Sequence, residues 1–202
     1  MIIDGLIATS IDGYISKNNN STVFKSLSSN ELLEWRKKFR CTYDAILVGM
    51  NTIYSDNPSL LNDSKNNFRI IIDTKGNINI NYKVFLEKPE NTIVLTNIKA
   101  DPSYEILNKL GVKILYYRKL NREILINLLY QFQISKILVE GGANTINMFL
   151  KHKVIDSLNI VTFPLFIKKG KRLNLDIDIP ENNYHLKFID KKYSLFIIKN
   201  LI

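Results

Sequence analysis

Glu140, Gly141 and Gly142 form the stretch of this sequence with the clearest chemical potential. They follow Lys136–Val139, an apolar run typical of a buried strand, and precede the helical pattern Ala143–Leu150. Glycines let a phosphate approach the backbone, and the N–H groups at the start of a helix bind anions. An acid at the carboxyl end of a parallel strand also lies where open α/β sheets bind ligands. The alternative is a tight strand-to-helix turn that needs glycine only for its geometry.

A second strand-to-helix junction lies within Asp44–Thr52, where an apolar strand ends at Gly49 and a short helix begins. Asp56 directly precedes the turn-forming pair Asn57-Pro58. One alternative is that its carboxylate contacts a ligand, and the other is that it only caps backbone N–H groups of the turn. Arg40 shortly precedes the same strand. Its guanidinium can complement the dipole of the preceding helix or bind a phosphate group.

The chain lacks the sequence motifs of several large enzyme classes. It has no Gly-x-Gly-x-x-Gly, no Gly-x-Ser-x-Gly and no phosphate loop ending in Gly-Lys-Ser/Thr, which disfavours those dinucleotide-binding, hydrolase and nucleotidase mechanisms. The single cysteine, Cys41, and the distant His152 and His185 give no metal motif, so we expect no metal. A zinc-deaminase signature is also missing, so deamination would need another polypeptide.

Composition is that of a soluble globular protein, with 202 residues, 46% hydrophobic and 23% charged. No apolar run approaches the roughly 20 residues of a membrane span. The start, Met1–Gly5, does not have the features of a signal peptide. We therefore expect a cytoplasmic protein without a membrane partner.

The formal net charge of +9 raises the hypothesis of a nucleic-acid-binding domain. That hypothesis predicts clustered lysines with exposed aromatic side chains. The basic residues are instead scattered, and the densest stretch, Lys168–Arg172, is short. We expect a solvated basic surface and no nucleic-acid partner.

Seven short runs rich in isoleucine and valine predict strands, and several of these are expected to be buried on both faces because they scarcely alternate. They are Ile2–Ala8, Asp44–Val48, Arg69–Ile72, Thr92–Thr96, Val112–Tyr116, Lys136–Val139 and Leu158–Phe163. Four helical patterns lie between these strands. The first is capped by Ser28 or Ser29, and the other three are Pro102–Leu110, Leu120–Phe132 and Ala143–Leu150.

The alternation of strands and helices predicts an α/β domain with a mostly parallel central sheet. Two final segments, Asn183–Asp190 and Tyr193–Asn200, predict an antiparallel hairpin added to that sheet. No linker, repeat or low-complexity tract divides the chain. Residues 1–202 are therefore expected to form a single domain.

Taken in order, these segments resemble the pyrimidine reductases of riboflavin biosynthesis. The resemblance is carried by Thr9–Gly13, Arg40 with Asp44–Gly49, Thr52 with Asp56–Leu60, Arg69–Thr74, Glu140–Gly142, Val154–Asp156 and Phe163-Pro164. It implies a three-layer α/β fold similar to that of dihydrofolate reductase. It also implies an NADPH-dependent reductase that converts the ribosyl group of a (di)aminopyrimidine ribosyl 5′-phosphate to a ribityl chain.

The resemblance implies roles for individual residues. Cofactor-binding roles fall on Thr9, Thr52, Asp56, Thr74, Gly142, Ala143, Asn144, Thr145, Ile146, Asn147 and Met148. Substrate-binding roles fall on Arg40, Leu60 and Glu140, with Arg40 as the expected partner of the ribose phosphate. Asp56 and Glu140 are the candidate catalytic groups, and which of them or water supplies the proton stays open.

The sequence departs from the family in the loop after Leu60, where a family arginine is missing and the nearest match is Asp63. The segment Phe24-Lys25-Ser26 also departs, and Lys25 is a possible substitute phosphate contact. The segment Leu165–Gly170 replaces a glycine-rich stretch. The altered loop keeps open a related reductase acting on another pterin or pyrimidine.

Cofactor choice and assembly are further expectations. Lys75 beside Thr74 could meet the 2′-phosphate of NADPH, and NADH is the alternative cofactor. The apolar segments at the end of the chain, which could form a sheet edge, and the resemblance predict a homodimer. Whether the base is a diaminopyrimidinone or an aminouracil stays open.

Overall fold

Isoleucine, leucine and valine runs form the inner strands, and their alternate side chains face opposite sides of one sheet. The computed structural model describes residues 1–16, 22–61, 67–173 and 181–202. The strands are β1 (Ile2–Ser10), β2 (Tyr14–Ser16), β3 (Ala45–Gly49), β4 (Phe68–Asp73), β5 (Thr92–Thr96), β6 (Lys113–Tyr116), β7 (Lys136–Val139), β8 (Ser157–Phe163), β9 (Lys171–Arg172), β10 (Tyr184–Phe188) and β11 (Ser194–Ile198). The α-helices are α1 (Thr22–Leu27), α2 (Asn30–Arg40), α3 (Met50–Asp56), α4 (Lys83–Leu86), α5 (Pro102–Lys109), α6 (Arg122–Leu129) and α7 (Ala143–Lys151).

Nine of the strands in the described ranges form one sheet, in the order β10-β11-β8-β1-β7-β3-β4-β5-β6. The first strand, β1, lies between β7 and β8 and runs parallel to both. The neighbours from β7 to β6 are also parallel, whereas β11 runs antiparallel to β8 and β10. The predicted mostly parallel sheet with a C-terminal antiparallel hairpin is confirmed.

Helices cover both faces of this sheet and make three layers. On one face, Leu6, Ile46 and Leu138 belong to a core cluster that includes side chains from α1 to α5. On the other face, Ile3 and Leu47 belong to a cluster that includes side chains from α6 and α7. Since burial of each large aliphatic side chain contributes roughly 1.5–3 kcal/mol, these two clusters supply the main stabilisation of the layers.

Several element boundaries differ from the sequence prediction for local reasons. Ser29, one of the two predicted caps, starts α2 because its Oγ accepts a hydrogen bond from the Leu32 N–H at 3.2 Å. The third predicted helix begins at Arg122, because the Asn121 side chain accepts from the Ile124 N–H at 2.8 Å. The small antiparallel pair of β2 and β9 was not predicted. Of the helices in the described ranges, none has the length and apolar character needed to cross a membrane.

Candidate active site

The residues predicted to bind ligands gather at one edge of the sheet. Thr9 lies near the end of β1, Thr52 follows β3, Thr74 follows β4 and Glu140 follows β7. These strands are neighbours in the order β1-β7-β3-β4 and run parallel, so their carboxyl ends share that edge. This is the edge at which open α/β sheets bind ligands.

Two neighbouring strands at this edge lead directly into helices whose capping residue is glycine. Gly49 precedes α3, and Gly142 precedes α7. Glycine has no side chain with which to cap the first N–H groups of a helix. In α7 the N–H groups of Thr145 and Ile146 bond back to the Gly142 carbonyl, at 3.0 and 3.3 Å. The first turn of α7 is therefore suited to bind an anion.

The side chain of Thr145 leaves no room for a side chain at two of the glycines at this edge. A Cβ atom built on Gly49 would lie 2.6 Å from Thr145 Oγ1, and one on Gly141 would lie 2.6 Å from Thr145 Cβ. Gly142 is different, because within the described part of the chain no heavy atom beyond Gly142 and its two chain neighbours lies within 4 Å of the position that a Cβ atom would take there. The fold thus needs Gly49 and Gly141 for close packing, whereas Gly142 borders open space.

The residues from Gly142 to Met148 differ in exposure, because some face the carboxyl edge of the sheet and others lie in the core. Asn144 is exposed, and Thr145 is half-buried against the two glycines. Ile146 is fully buried, and Met148 packs against the core cluster below α7. Among the predicted cofactor residues of this helix, the buried side chains support the helix rather than face a ligand, and its first turn faces the edge of the sheet.

The remaining predicted cofactor residues differ in exposure. Thr9 is only 5% exposed and lines a cavity of about 420 Å³ beside β8 and β11. Thr52 is half-buried in α3, whereas Asp56 at the end of that helix is exposed. Thr74 is exposed directly after β4. Their contact with a cofactor stays a prediction.

Glu140 is buried at the end of β7 and bound by two arginines of α2. Arg40 Nε and Nη2 donate to its two carboxylate oxygens at 2.6 and 2.5 Å. Arg36 Nη2 donates to Oε2 at 2.6 Å. The Glu140 N–H also donates to the Leu47 carbonyl at 2.8 Å, which fixes the residue against β3.

The ionisation of Glu140 follows from this arrangement. Burial by itself raises the pKa of its carboxyl, but the charges and hydrogen bonds of Arg36 and Arg40 outweigh burial and lower the pKa from 4.5 to about 2. The carboxylate is therefore ionised at neutral pH. This state argues against Glu140 as the proton donor and leaves Asp56 and water as candidates.

The phosphate-binding role of Arg40 stays a prediction. The expectation is a bidentate contact from its guanidinium to the substrate phosphate, with pairing to the last carbonyls of its helix as the alternative. In the structure the Nε–Nη2 edge of Arg40 holds Glu140. Arg36 was missed by the sequence reasoning, although its spacing of one helical turn from Arg40 places both side chains on the same face.

Leu60 lies in the core rather than at the surface of the crevice. Its side chain is 5% exposed and its backbone is left-handed, with φ of 59°. Ser59, the residue before Leu60, is held by the fully buried Arg69, which donates to the Ser59 carbonyl at 3.1 Å and to the Lys88 carbonyl at 2.5 Å. A substrate contact by Leu60 would therefore use its backbone. Asp63, the nearest match to the missing family arginine, lies outside the described residues.

A buried hydrogen-bond network holds the turn after β4. The Asp73 carboxylate accepts from the N–H groups of Lys75 and Gly76 at 3.0 to 3.2 Å. It also accepts from the Tyr104 hydroxyl at 2.7 Å, and that hydroxyl lies 2.8 Å from Thr96 Oγ1. This network positions the exposed Thr74 and its neighbour Lys75 at the shared edge.

Comparisons with known proteins agree with this architecture. Residues 6–195 match the family model of the RibD C-terminal domain. The riboflavin biosynthesis protein RibD of Aquifex aeolicus is 29% identical over 92% of this chain and 52% of its own length. A 2,5-diamino-6-ribosylamino-4(3H)-pyrimidinone 5′-phosphate reductase from the same organism is 28% identical over 78% of this chain and 74% of its own length. The structure of Acinetobacter baumannii RibD superposes with a TM-score of 0.77 at 23% identity, over 98% of this chain and 58% of that one.

These matches bear on family and fold to different extents. This chain spans about half the length of the RibD proteins that it matches. The structural likeness supports the fold, with its parallel sheet and added hairpin. The family match covers nearly every element described above, from β1 to β11. On these grounds the chain belongs to the family of the RibD C-terminal domain.

Proposed function

We propose that this chain catalyses the NADPH-dependent reduction of a (di)aminopyrimidine ribosyl 5′-phosphate to the ribityl 5′-phosphate in riboflavin biosynthesis. The observation that carries the proposal is the open space at Gly142, at the uncapped start of α7 and next to the buried, ionised Glu140. The named pyrimidinone phosphate reductase among the relatives supports the same reaction.

The cofactor pyrophosphate would lie against the first turns of α7 and α3. Gly142 leaves room for it there, and the helix N-terminus favours its negative charge. Thr52 and Thr74, which follow β3 and β4, lie on one side of Gly142 along the sheet edge, and Thr9, near the end of β1, lies on the other. We assign cofactor contacts to these residues, to Asp56 and to the turn from Gly142 onwards.

The adenosine end of the cofactor has a candidate cleft beyond β4. A cavity of about 490 Å³ at the ends of β5 and β6 is lined by Asn97, Lys99, Tyr116, Tyr117 and Arg118. The cationic Lys99 and Arg118, with Lys75 after β4, suit a 2′-phosphate. This charge distribution supports the choice of NADPH over NADH.

The main task of the protein in this reaction is to orient the cofactor and the substrate. The hydride that NADPH donates when bound reduces the first carbon of the sugar, in the open-chain imine form of the riboside. Holding the two reacting carbons close together can lower the barrier by roughly 7–11 kcal/mol. Because Glu140 stays ionised, the accompanying proton comes from Asp56 or from water. The Arg40–Glu140 pair lies at the same edge of the sheet.

The experiment that tests the proposal is NADPH oxidation by the pure protein with each of the two candidate ribosyl phosphates. One carries a diaminopyrimidinone and the other an aminouracil. We expect oxidation that depends on one of these substrates, with formation of the ribityl product by mass spectrometry. No oxidation with either substrate, alongside turnover of a dihydropterin, would favour a related reductase instead.

A further inference from the structure

Arg69, the second residue of β4, is a cation whose side chain is fully buried. Its Nη1 donates to the Ser59 carbonyl at 3.1 Å, and its Nη2 donates to the Lys88 carbonyl at 2.5 Å. Its Nε has no hydrogen-bond partner within the described ranges. The guanidinium therefore bridges two backbone segments, one that follows α3 and one that follows α4.

A buried charge of this kind is a poor means of stabilising a core. Burial lowers the pKa of Arg69 from 12.5 to about 10, although Glu87 and Glu90 raise it, so the side chain is still charged at neutral pH. Replacing buried charged groups with apolar residues of similar volume is often neutral or even stabilising. The stability of the core alone therefore does not account for an arginine at this position.

The two carbonyls that Arg69 binds belong to turns with left-handed residues. Lys88 has a φ of 50°, and Leu60, which follows Ser59, has a φ of 59°. Residues with a side chain rarely adopt this region, so such a conformation persists only where the surrounding structure holds it. Arg69 supplies a direct hydrogen bond to the segment Asn57–Leu60, the Leu60 turn.

Two further contacts tie the Leu60 turn to the segment around α4. The Asn57 side chain accepts a hydrogen bond from the Lys83 N–H at 2.9 Å, and the Ser59 hydroxyl donates to the Glu87 carboxylate. Both contacts are exposed to solvent, whereas the guanidinium of Arg69 is buried. Because hydrogen bonds are stronger where water is excluded, Arg69 is the inner anchor of the turn.

The Leu60 turn lies on the same face of the sheet as α2. Leu60 and Leu32 of α2 belong to one core cluster. The same helix carries Arg40, which holds Glu140 directly after β7. A shift of the turn therefore changes the position of Leu60 relative to the other two residues that are predicted to contact the substrate.

We propose that Arg69 is a positioning residue, which holds Ser59 so that the backbone of Leu60 meets the substrate in a fixed place. This inference rests on the proposed function, in which Leu60 is a substrate contact. Arg69 itself lies below the turn and acts through it. A displacement of about 1 Å in a binding group can cost roughly a hundredfold in rate, so the loss of a distant anchor has a measurable effect.

The test compares the kinetics of Arg69→Lys and Arg69→Met with those of the parent. Lysine keeps the charge but lacks the planar fork that bridges two carbonyls, and methionine removes the charge. We expect the KM for the phosphorylated pyrimidine riboside to rise roughly tenfold in Arg69→Lys and up to about a hundredfold in Arg69→Met. The effect should fall on KM more than on kcat, because the turn binds the substrate and supplies no proton. NADPH affinity should stay close to that of the parent.

Arg122→Met is the matched control. Arg122 also donates to two backbone carbonyls, those of Val154 and Met1, but these lie at the amino edge of the sheet. Its replacement should lower the melting temperature and leave KM unchanged. An equal rise of KM in Arg122→Met and Arg69→Met would show a general loss of stability and overturn the positioning role.

Amide hydrogen exchange measures the anchor without a substrate. Exchange in the Leu60 turn should be faster in Arg69→Lys than in the parent or in Arg122→Met. Parent-like exchange there, or a parent-like KM in Arg69→Lys, would overturn the role of Arg69 while the reaction of the parent stands. If the parent reduces neither pyrimidine substrate, the proposed reaction falls, and the substrate role of Arg69 falls with it.

Discussion

Glu140 is a carboxylate taken almost completely out of water, and its charge persists because two guanidinium groups replace the lost hydration. Removing either the carboxylate or its arginine partner should lower stability, because the remaining group would be a buried charge without a counter-charge. The pair of Arg40 and Glu140 is more buried than Arg36, so its disruption acts mainly on stability.

Replacing Glu140 with glutamine should remove a pH-dependent part of the stability. Because the folded protein lowers the pKa of Glu140 from 4.5 to about 2, its carboxylate stabilises the fold above pH 4.5 and loses that effect as the pH falls towards 2. At neutral pH the free energy of unfolding of the parent should exceed that of Glu140→Gln by about 3 kcal/mol. Urea denaturation at a series of pH values checks this, and a difference that stays constant between pH 5 and 2.5 would contradict it.

Replacing Gly142 with valine should separate ligand binding from folding. A side chain at this position meets open space in the described structure, so the melting temperature should stay close to that of the parent. NADPH affinity should fall, because the branched side chain occupies the space proposed for the pyrophosphate. Gly49→Val is the matched control, since its Cβ would lie 2.6 Å from Thr145 Oγ1 and should lower the melting temperature. Parent-like NADPH affinity in Gly142→Val would falsify the cofactor assignment.

The sequence predicts the positions of site residues better than their partners. Strand ends place Thr9, Thr74 and Glu140 at one edge, because parallel strands share a direction. The contact between Arg40 and Glu140 spans 100 residues and depends on how α2 docks, which no local pattern encodes. Arg36 could have been noticed from its helical spacing to Arg40 alone.

Strands with continuous apolar runs were predicted almost to the residue, because burial on both faces demands such composition. Thr92–Thr96 and Lys136–Val139 agree in full. The pair of β2 and β9 was missed, since strands of three and two residues carry no periodicity. Arg172, whose guanidinium lies 4.6 Å from the centre of the Tyr14 ring, adds a contact between these strands that only the folded chain reveals.

The turn after β4 should depend on the hydroxyl of Tyr104. Burial raises the pKa of this hydroxyl, the hydrogen bond with Thr96 opposes that rise and Asp73 adds to it, so the hydroxyl remains a neutral donor to the Asp73 carboxylate. Tyr104→Phe should lower the free energy of unfolding by about 1–3 kcal/mol, because a buried carboxylate loses a donor. Urea denaturation measures the loss. Tyr130→Phe, at a position 80% exposed, is the control, and equal stability of the two variants would contradict the role of the network.

At the scale of the whole molecule, the sheet carries an apolar face at its C-terminal end. Leu186, Phe188 and Phe196 are 53%, 72% and 40% exposed on β10 and β11. Tyr184 and Ile160 lie on the same side of the sheet, because the register pairs Tyr184 with Ile198, Leu186 with Phe196 and Phe196 with Ile160. We propose that a second copy of the chain covers this face, which gives the homodimer.

Replacing Phe188 with glutamate should disrupt that dimer. A charge in the apolar face opposes burial against the same face of a second copy. Light scattering at micromolar concentration should give about twice the 23.4 kDa of one chain for the parent and a single chain for the variant. Ile106→Glu, at an exposed position of α5, should leave the mass unchanged. A parent protein of one-chain mass would contradict the proposal outright.

The position of β1 has a consequence for synthesis. Ile2 pairs with Lys136, and Asp4 pairs with Ser157, so both neighbours of this central strand are made long after it. At roughly 5–20 residues added per second, the ribosome needs on the order of 8–30 s to produce them. During that interval the apolar residues of β1 have no native strand beside them. The apolar residues of β1 therefore stay without their native partners in the nascent chain until β7 and β8 have been made, and the central sheet closes only then.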